Sequence, residues 1–134
     1  MKEKKFLDDY FGKLKDLISF DKKTINKLFE TKNLLLNQSK KGKKCMIFGN
    51  GGSAAIASHF SVDITKNAKV RCTNYNESDL LTCFSNDFGY DRWVQKTIEF
   101  YGNPGDVLIV ISASGKSQNM VNACKEAKKK NLRK

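Results

Sequence analysis

Phe6, Leu7, Tyr10, Phe11, Leu14, Leu17 and Ile18 recur at three- and four-residue steps, so residues 2–19 read as a helix with one apolar stripe. Residues 22–40 repeat the pattern with Ile25, Leu28, Phe29, Leu35 and Leu36, and Gly42 is placed to stop the helix. The period then changes. The short apolar run 45–48 reads as a buried strand, followed by a helix over 53–66 with Ile56, Ala57, Phe60 and Ile64 on its core side. A second strand is expected over 70–73. The apolar patch 79–84 is left open in type, and Ser85-Asn86-Asp87-Phe88-Gly89 reads as a turn.

A helix over 91–101 carries Trp93, Val94 and Ile98 and stops at Gly102-Asn103-Pro104-Gly105. The run Val107-Leu108-Ile109-Val110-Ile111 is β-branched and bare enough for the centre of a parallel sheet. A last helix follows through Met120, Val121, Ala123, Cys124 and Ala127. Strands alternating with helices predict an α/β core over 43–134, preceded over 1–42 by a helical hairpin of the same domain. The hairpin has more apolar surface than one sheet face needs. Its surplus stripe is either a subunit interface or packing within the monomer.

Composition narrows the class. A chain of 134 residues with 40% hydrophobic residues suffices for one domain with a real core. The net charge of +11 is concentrated near the end, where residues 125–134 hold six basic groups and one acid. Such a balance suits nucleic acid, a membrane surface or an anionic small molecule, but most of the lysines lie on expected solvated helix faces. No arginine-rich or aromatic-interleaved tract supports nucleic acid as a partner. Cys45, Cys72, Cys83 and Cys124 lack metal-site spacing and read as reduced thiols of a cytoplasmic protein. No apolar run is long enough to span a bilayer, so no membrane partner is expected.

Candidate chemistry sits where strands hand over to helices. In Gly49-Asn50-Gly51-Gly52-Ser53 the glycines let backbone N–H groups crowd an anion, Ser53 is placed to cap the helix, and the helix dipole favours negative charge. The spacing is neither a P-loop nor a dinucleotide fingerprint, and alone it would serve equally as a plain turn. Ser112-Ala113-Ser114-Gly115-Lys116-Ser117 repeats the arrangement with three hydroxyls and a lysine, more donors than helix capping needs. His59 and Asp63 stand at i and i+4, a spacing open to zinc ligation or to a plain surface pair.

Phe48-Gly49-Asn50-Gly51-Gly52-Ser53-Ala54-Ala55, His59-Phe60, Ser85-Asn86-Asp87-Phe88-Gly89, Pro104-Gly105-Asp106-Val107-Leu108 and Ile111-Ser112-Ala113-Ser114-Gly115-Lys116-Ser117 occur in that order. Together they resemble the sugar isomerase (SIS) domain, and more narrowly the phosphoheptose isomerase family. The resemblance implies a flavodoxin-like parallel sheet flanked by helices and a homotetramer. It also implies interconversion of sedoheptulose 7-phosphate and D-glycero-D-manno-heptose 7-phosphate, which serves lipopolysaccharide heptose synthesis. By the same resemblance Ser112, Ser114 and Ser117 bind phosphate, Asn50, Gly51, Gly52 and Ser53 line the sugar side, and Asp87 approaches the sugar hydroxyls. His59 would be a zinc ligand, and Asp63 would be both zinc ligand and catalytic base.

An aldose–ketose shift needs a carboxylate that moves a proton between adjacent carbons through an enediol, an acid for the oxygens, and an electrophile for the developing charge. Three departures bear on it. Asp63 is one methylene shorter than the family's glutamate, Ala113 replaces a hydroxyl residue, and the chain stops at Asn131-Leu132-Arg133-Lys134 where a further strand is expected. The family's later glutamine and histidine have no counterpart, His59 being the single histidine. The expectation is a fragment of a longer isomerase or a truncated paralogue. The alternative is a non-catalytic SIS module that binds a phosphosugar or a protein partner.

Overall fold

A computed structural model describes residues 2–134. The element order is α1 (Lys2–Ile18), α2 (Lys22–Lys40), β1 (Cys45–Gly49), α3 (Gly52–Ala68), β2 (Cys72–Thr73), α4 (Ser78–Phe88), α5 (Trp93–Tyr101), β3 (Val107–Ile111) and α6 (Gln118–Lys129). The chain divides into two compact units, Met1–Leu34 and Leu35–Lys134. In the first unit, α1 and the start of α2 form as the apolar spacing predicts. Both leave that stripe in solvent: Phe6, Leu7, Tyr10, Phe11, Leu14, Ile25, Leu28 and Phe29 are all exposed.

The second unit is built on a parallel sheet of order β2-β1-β3. β1 is buried along its whole length. Alternation along it sends Met46 and Phe48 to one face, where they join Trp93, Val94, Ile98, Leu108, Met120, Ala123, Ala127 and Leu132 in the core. Full burial of side chains such as Phe48 and Ile98 contributes about 1.5–3 kcal/mol each. Phe48 sits edge-on to Trp93 and stacks on Tyr75. Cys45 and Ile47 point to the opposite face, against which α3 packs.

Five details differ from the sequence expectation. β1, not β3, is the central strand; β3 is the outer one, and beyond it only a parallel bridge from Arg133 to Val107 is formed. Residues 85–88 are helix, not turn: α4 continues through Phe88, because Leu80, Leu81 and Phe84 pack on the core while Thr82, Asn86 and Asp87 face out. α3 turns Ala57 and Ser61 inward and leaves Ile56 exposed, since small residues let the helix lie close to the sheet. The second strand is only Cys72–Thr73, and Ser53 does not cap α3, whose N-cap position is Gly51.

Candidate active site

The order β2-β1-β3 means that connections leave β1 in opposite directions, and the crevice between the carboxyl ends of β1 and β3 is a topological switch point. Open α/β sheets bind ligands at that position. Both candidate loops open there.

After β1 the chain turns sharply at Gly49, where an added Cβ would stand 2.4 Å from the backbone carbonyl carbon and oxygen of Ser53. Gly51 follows with φ of 54°, the left-handed region that glycine enters without strain. Ser53 N–H donates to the Asn50 carbonyl at 3.0 Å, and Ala54 N–H to the Gly51 carbonyl at 2.9 Å. Among the described residues the N–H groups of Gly51 and Gly52 carry no hydrogen bond, which leaves two donors at the positive end of α3.

After β3, Ser112 Oγ and Ser117 Oγ lie 3.3 Å apart and close the second loop. Ser117 occupies the N-cap position of α6, yet its hydroxyl makes no capping bond to the helix. Ser114 Oγ accepts from Lys116 N–H at 3.2 Å, and Gly115 reverses the chain with φ of 64°. A cleft of about 400 Å³ borders this loop, lined by Ser112, Gly115, Val110, Met120, Val121 and Cys124, with Lys125, Lys128 and Lys134 at its margin.

Two residues absent from the sequence reading join the loops. Asn119, in the first turn of α6, exchanges hydrogen bonds with Asn50: Asn50 Nδ2 donates to Asn119 Oδ1 at 3.0 Å, and Asn119 Nδ2 donates to Asn50 Oδ1 at 2.8 Å. Tyr90 OH, from the segment between α4 and α5, donates to the same Asn50 oxygen at 3.2 Å. Asn119 carried a signal. It shares the four-residue step of Ala123 and Ala127, so an amide stands on the buried stripe of α6 and needs a buried partner.

The remaining candidates lie apart from this network. His59 Nε2 and Asp63 Oδ2 are 3.4 Å apart on successive turns of α3, with 81% and 53% of their side chains exposed. Asp87, exposed near the end of α4, accepts from Asn86 Nδ2 at 2.9 Å and from the Cys83 thiol at 3.6 Å. No hydrogen bond joins either group to Asn50 or to the serine loop among the described residues.

A zinc site takes three or four protein donors about 2.0–2.3 Å from the metal. His59 and Asp63 supply two donors, and no cluster of three or more His, Cys, Asp or Glu side chains suited to a metal occurs among the described residues. The residues present therefore do not make a complete zinc site.

Residues 9–133 match the family model described as the SIS domain. The chain belongs to the SIS-domain family. Among curated relatives of this SIS domain, the phosphoheptose isomerase of Buchnera aphidicola subsp. Acyrthosiphon pisum (strain Tuc7) is 37% identical over 118 residues, a match covering 84% of this chain and 61% of that protein. The phosphoheptose isomerase of Cytophaga hutchinsonii is 34% identical over 131 residues, covering 94% of this chain and 68% of that protein. The chain thus spans about three fifths to two thirds of the length of these relatives. Phosphoheptose isomerase GmhA from Neisseria gonorrhoeae superposes with a TM-score of 0.87 at 27% identity, over 98% of this chain and 72% of that one. A phosphoheptose isomerase from Francisella tularensis, 22% identical with a TM-score of 0.83, shares the fold. No helix is long and apolar enough to cross a membrane among the described residues.

Proposed function

We propose that this SIS domain belongs to a phosphosugar isomerase that interconverts sedoheptulose 7-phosphate and D-glycero-D-manno-heptose 7-phosphate, for lipopolysaccharide heptose. The observation that carries the reading is the pair of donor-rich loops at the switch point between β1 and β3, in a chain whose curated relatives are phosphoheptose isomerases. Ser112, Ser114 and Ser117 take the phosphate, whose oxygens accept hydroxyl and backbone N–H donors at the start of α6. The N–H groups of Gly51 and Gly52, with Asn50 and Ser53, face the sugar oxygens. Asp87 is assigned to the sugar hydroxyls, at the rim.

Asp63 is the proposed base. Its carboxylate removes the proton from the hydroxyl-bearing carbon beside the carbonyl, the electron pair forms the enediolate, and solvent protonates the former carbonyl oxygen to give the enediol. The same carboxyl group returns its proton to the former carbonyl carbon while the other hydroxyl gives its proton to solvent, so carbonyl and hydroxyl exchange places with no net gain or loss of atoms. His59, 3.4 Å from Asp63, holds that carboxylate on one side. Zinc would act as the electrophile for the developing oxyanion, but this pair alone is half of its ligand set and no step here depends on it. The apolar stripe of α1 and α2 supports self-association, up to the tetramer, and the four free thiols suit a reducing cytoplasm.

A second reading has its own support. Asp63 is more than half exposed and one methylene short, and misplacement by about 1 Å costs on the order of a hundredfold in rate. A module that binds a phosphosugar without converting it would look the same at the loops. The deciding experiment follows sedoheptulose 7-phosphate by NMR in D2O with the full-length protein. Deuterium entry at the terminal hydroxymethyl carbon of the ketose and at the carbon beside the aldehyde in the product, lost by about 10²–10⁴ in Asp63→Asn while binding persists, supports the isomerase. Binding without exchange or turnover establishes the binding module instead.

A further inference from the structure

Asn119 is 2% exposed, and both ends of its side-chain amide are committed. The direction of that commitment is fixed by the backbone. Met120 N–H can only donate, and it is shared at 3.0 Å between the Ser117 carbonyl and Asn119 Oδ1; exchanging Oδ1 with Nδ2 would set two N–H donors against each other, which keeps the oxygen where it is. Since Asn119 and Asn50 pair reciprocally, the setting of one amide sets the other. Asn50 Oδ1 must then be the atom that accepts from Asn119 Nδ2 at 2.8 Å, and Tyr90 OH must donate to it at 3.2 Å.

The inventory at Asn50 follows. A carboxamide oxygen has two lone pairs, and both are taken by Asn119 and Tyr90. Its Nδ2 has two protons, of which one goes to Asn119. One N–H remains, so Asn50 can meet a ligand only as a donor, and its partner must be an acceptor oxygen.

We propose that Asn119 is a positioning residue: through its reciprocal pairing with Asn50 it locks the loop after β1 to the first turn of α6 and forces Asn50 to present a single N–H donor to a carbonyl or hydroxyl oxygen of the sugar. The proposal rests on the phosphosugar reading of this site. It predicts a division of labour, because inorganic phosphate is held by the Ser112–Ser117 loop and does not engage Asn50. It also predicts that Asn119 matters to the ligand only through Asn50. Without Asn119 only the Tyr90 hydroxyl contacts the Asn50 amide, and since a phenol can donate or accept it does not fix which amide atom faces the ligand.

The test is a double-mutant cycle on the full-length protein, with Asn50→Ala, Asn119→Ala and the pair, read by calorimetry against sedoheptulose 7-phosphate and against inorganic phosphate. Asn119→Asp, nearly isosteric but unable to donate to Asn50 Oδ1, is included in case the alanine variant folds poorly. Each single substitution should weaken the sugar phosphate about tenfold, the cost of one well-placed hydrogen bond, and the pair should lose no more than either alone. Phosphate affinity should stay within about twofold. Additive losses approaching a hundredfold in the pair, or equal losses for both ligands, would overturn the proposal.

Absence of sugar-phosphate binding to the wild-type protein would instead refute the phosphosugar reading. The lock is still read without ligand, from the Asn50 side-chain amide protons by NMR. The Asn50 proton bonded to Asn119 should exchange slowly with solvent in the wild type and faster in Asn119→Leu, which is nearly isosteric and neither donates nor accepts. Identical exchange rates would refute the lock itself.

Discussion

Ser117 Oγ rests 3.3 Å from Ser112 Oγ instead of capping the helix it begins. A serine at an N-cap ordinarily stabilises its helix by about 0.5–2 kcal/mol through a bond to a backbone N–H, and that bond is not made here. Ser117→Ala should therefore change stability by less than about 0.5 kcal/mol in thermal melts. Affinity for inorganic phosphate should fall about tenfold, since a donor to an anion is lost. A large fall in melting temperature with unchanged phosphate binding would mean that the hydroxyl serves the fold.

Asp106, 2% exposed at the start of β3, accepts Lys44 N–H at 3.0 Å, Asn103 N–H at 2.9 Å and the Lys44 ammonium. Burial by itself would raise this carboxyl, but the hydrogen bonds from Lys44 and Asn103 outweigh it and hold the group below the ordinary aspartate value. A depressed folded value contributes stability that is full above the unfolded value, about pH 3.9, and is lost as pH falls through the lower folded value. Asp106→Ala should destabilise by about 3 kcal/mol at pH 7, leaving Lys44 without its buried partner. In denaturant titrations the gap between variant and wild type should close below about pH 4; a gap independent of pH would contradict the assignment.

Gly49 tolerates no side chain, because the backbone of Ser53 cannot withdraw without opening the loop. Gly49→Ala should cost about 1–3 kcal/mol in unfolding experiments. It should also weaken sugar-phosphate binding more than Ser117→Ala does, since it displaces Asn50 and the free N–H groups together. Retention of full affinity would show that the loop is not the ligand contact.

Cys83 is the exposed thiol of α4, and its pKa is raised first by partial desolvation and then by the Asp87 carboxylate. Asp87→Asn removes that charge, increases the thiolate fraction at pH 7.5 and should speed iodoacetamide labelling of Cys83 about two- to threefold, read by peptide mass spectrometry. Slower labelling would reverse the inferred sign. Buried Cys45 and Cys72 should stay unlabelled until the protein unfolds.

Legibility in the sequence followed the range of the forces involved. The helices α1, α2, α5 and α6 and the strands β1 and β3 were readable because apolar period and glycine stops act over a few neighbouring residues. The two loops were readable for the same reason, glycine and serine being needed where the backbone turns tightly. α4 was not legible, its first half being an apolar patch of open type and Ser85-Asn86-Asp87-Phe88-Gly89 being turn chemistry when alone. Packing of Phe84 beside Phe88 and Phe100 carries the helix through it.

The sequence by itself determined the α/β class and the placing of a glycine- or serine-rich loop between strand and helix after both β1 and β3. Only the tertiary structure decided that β1 is central, that both loops open at one switch point, and that Asn119 and Tyr90 meet at Asn50. Those relations join residues 69 and 40 positions apart. Local propensity carries no information over such separations, whereas sheet order and the burial of an amide that must find its partner do.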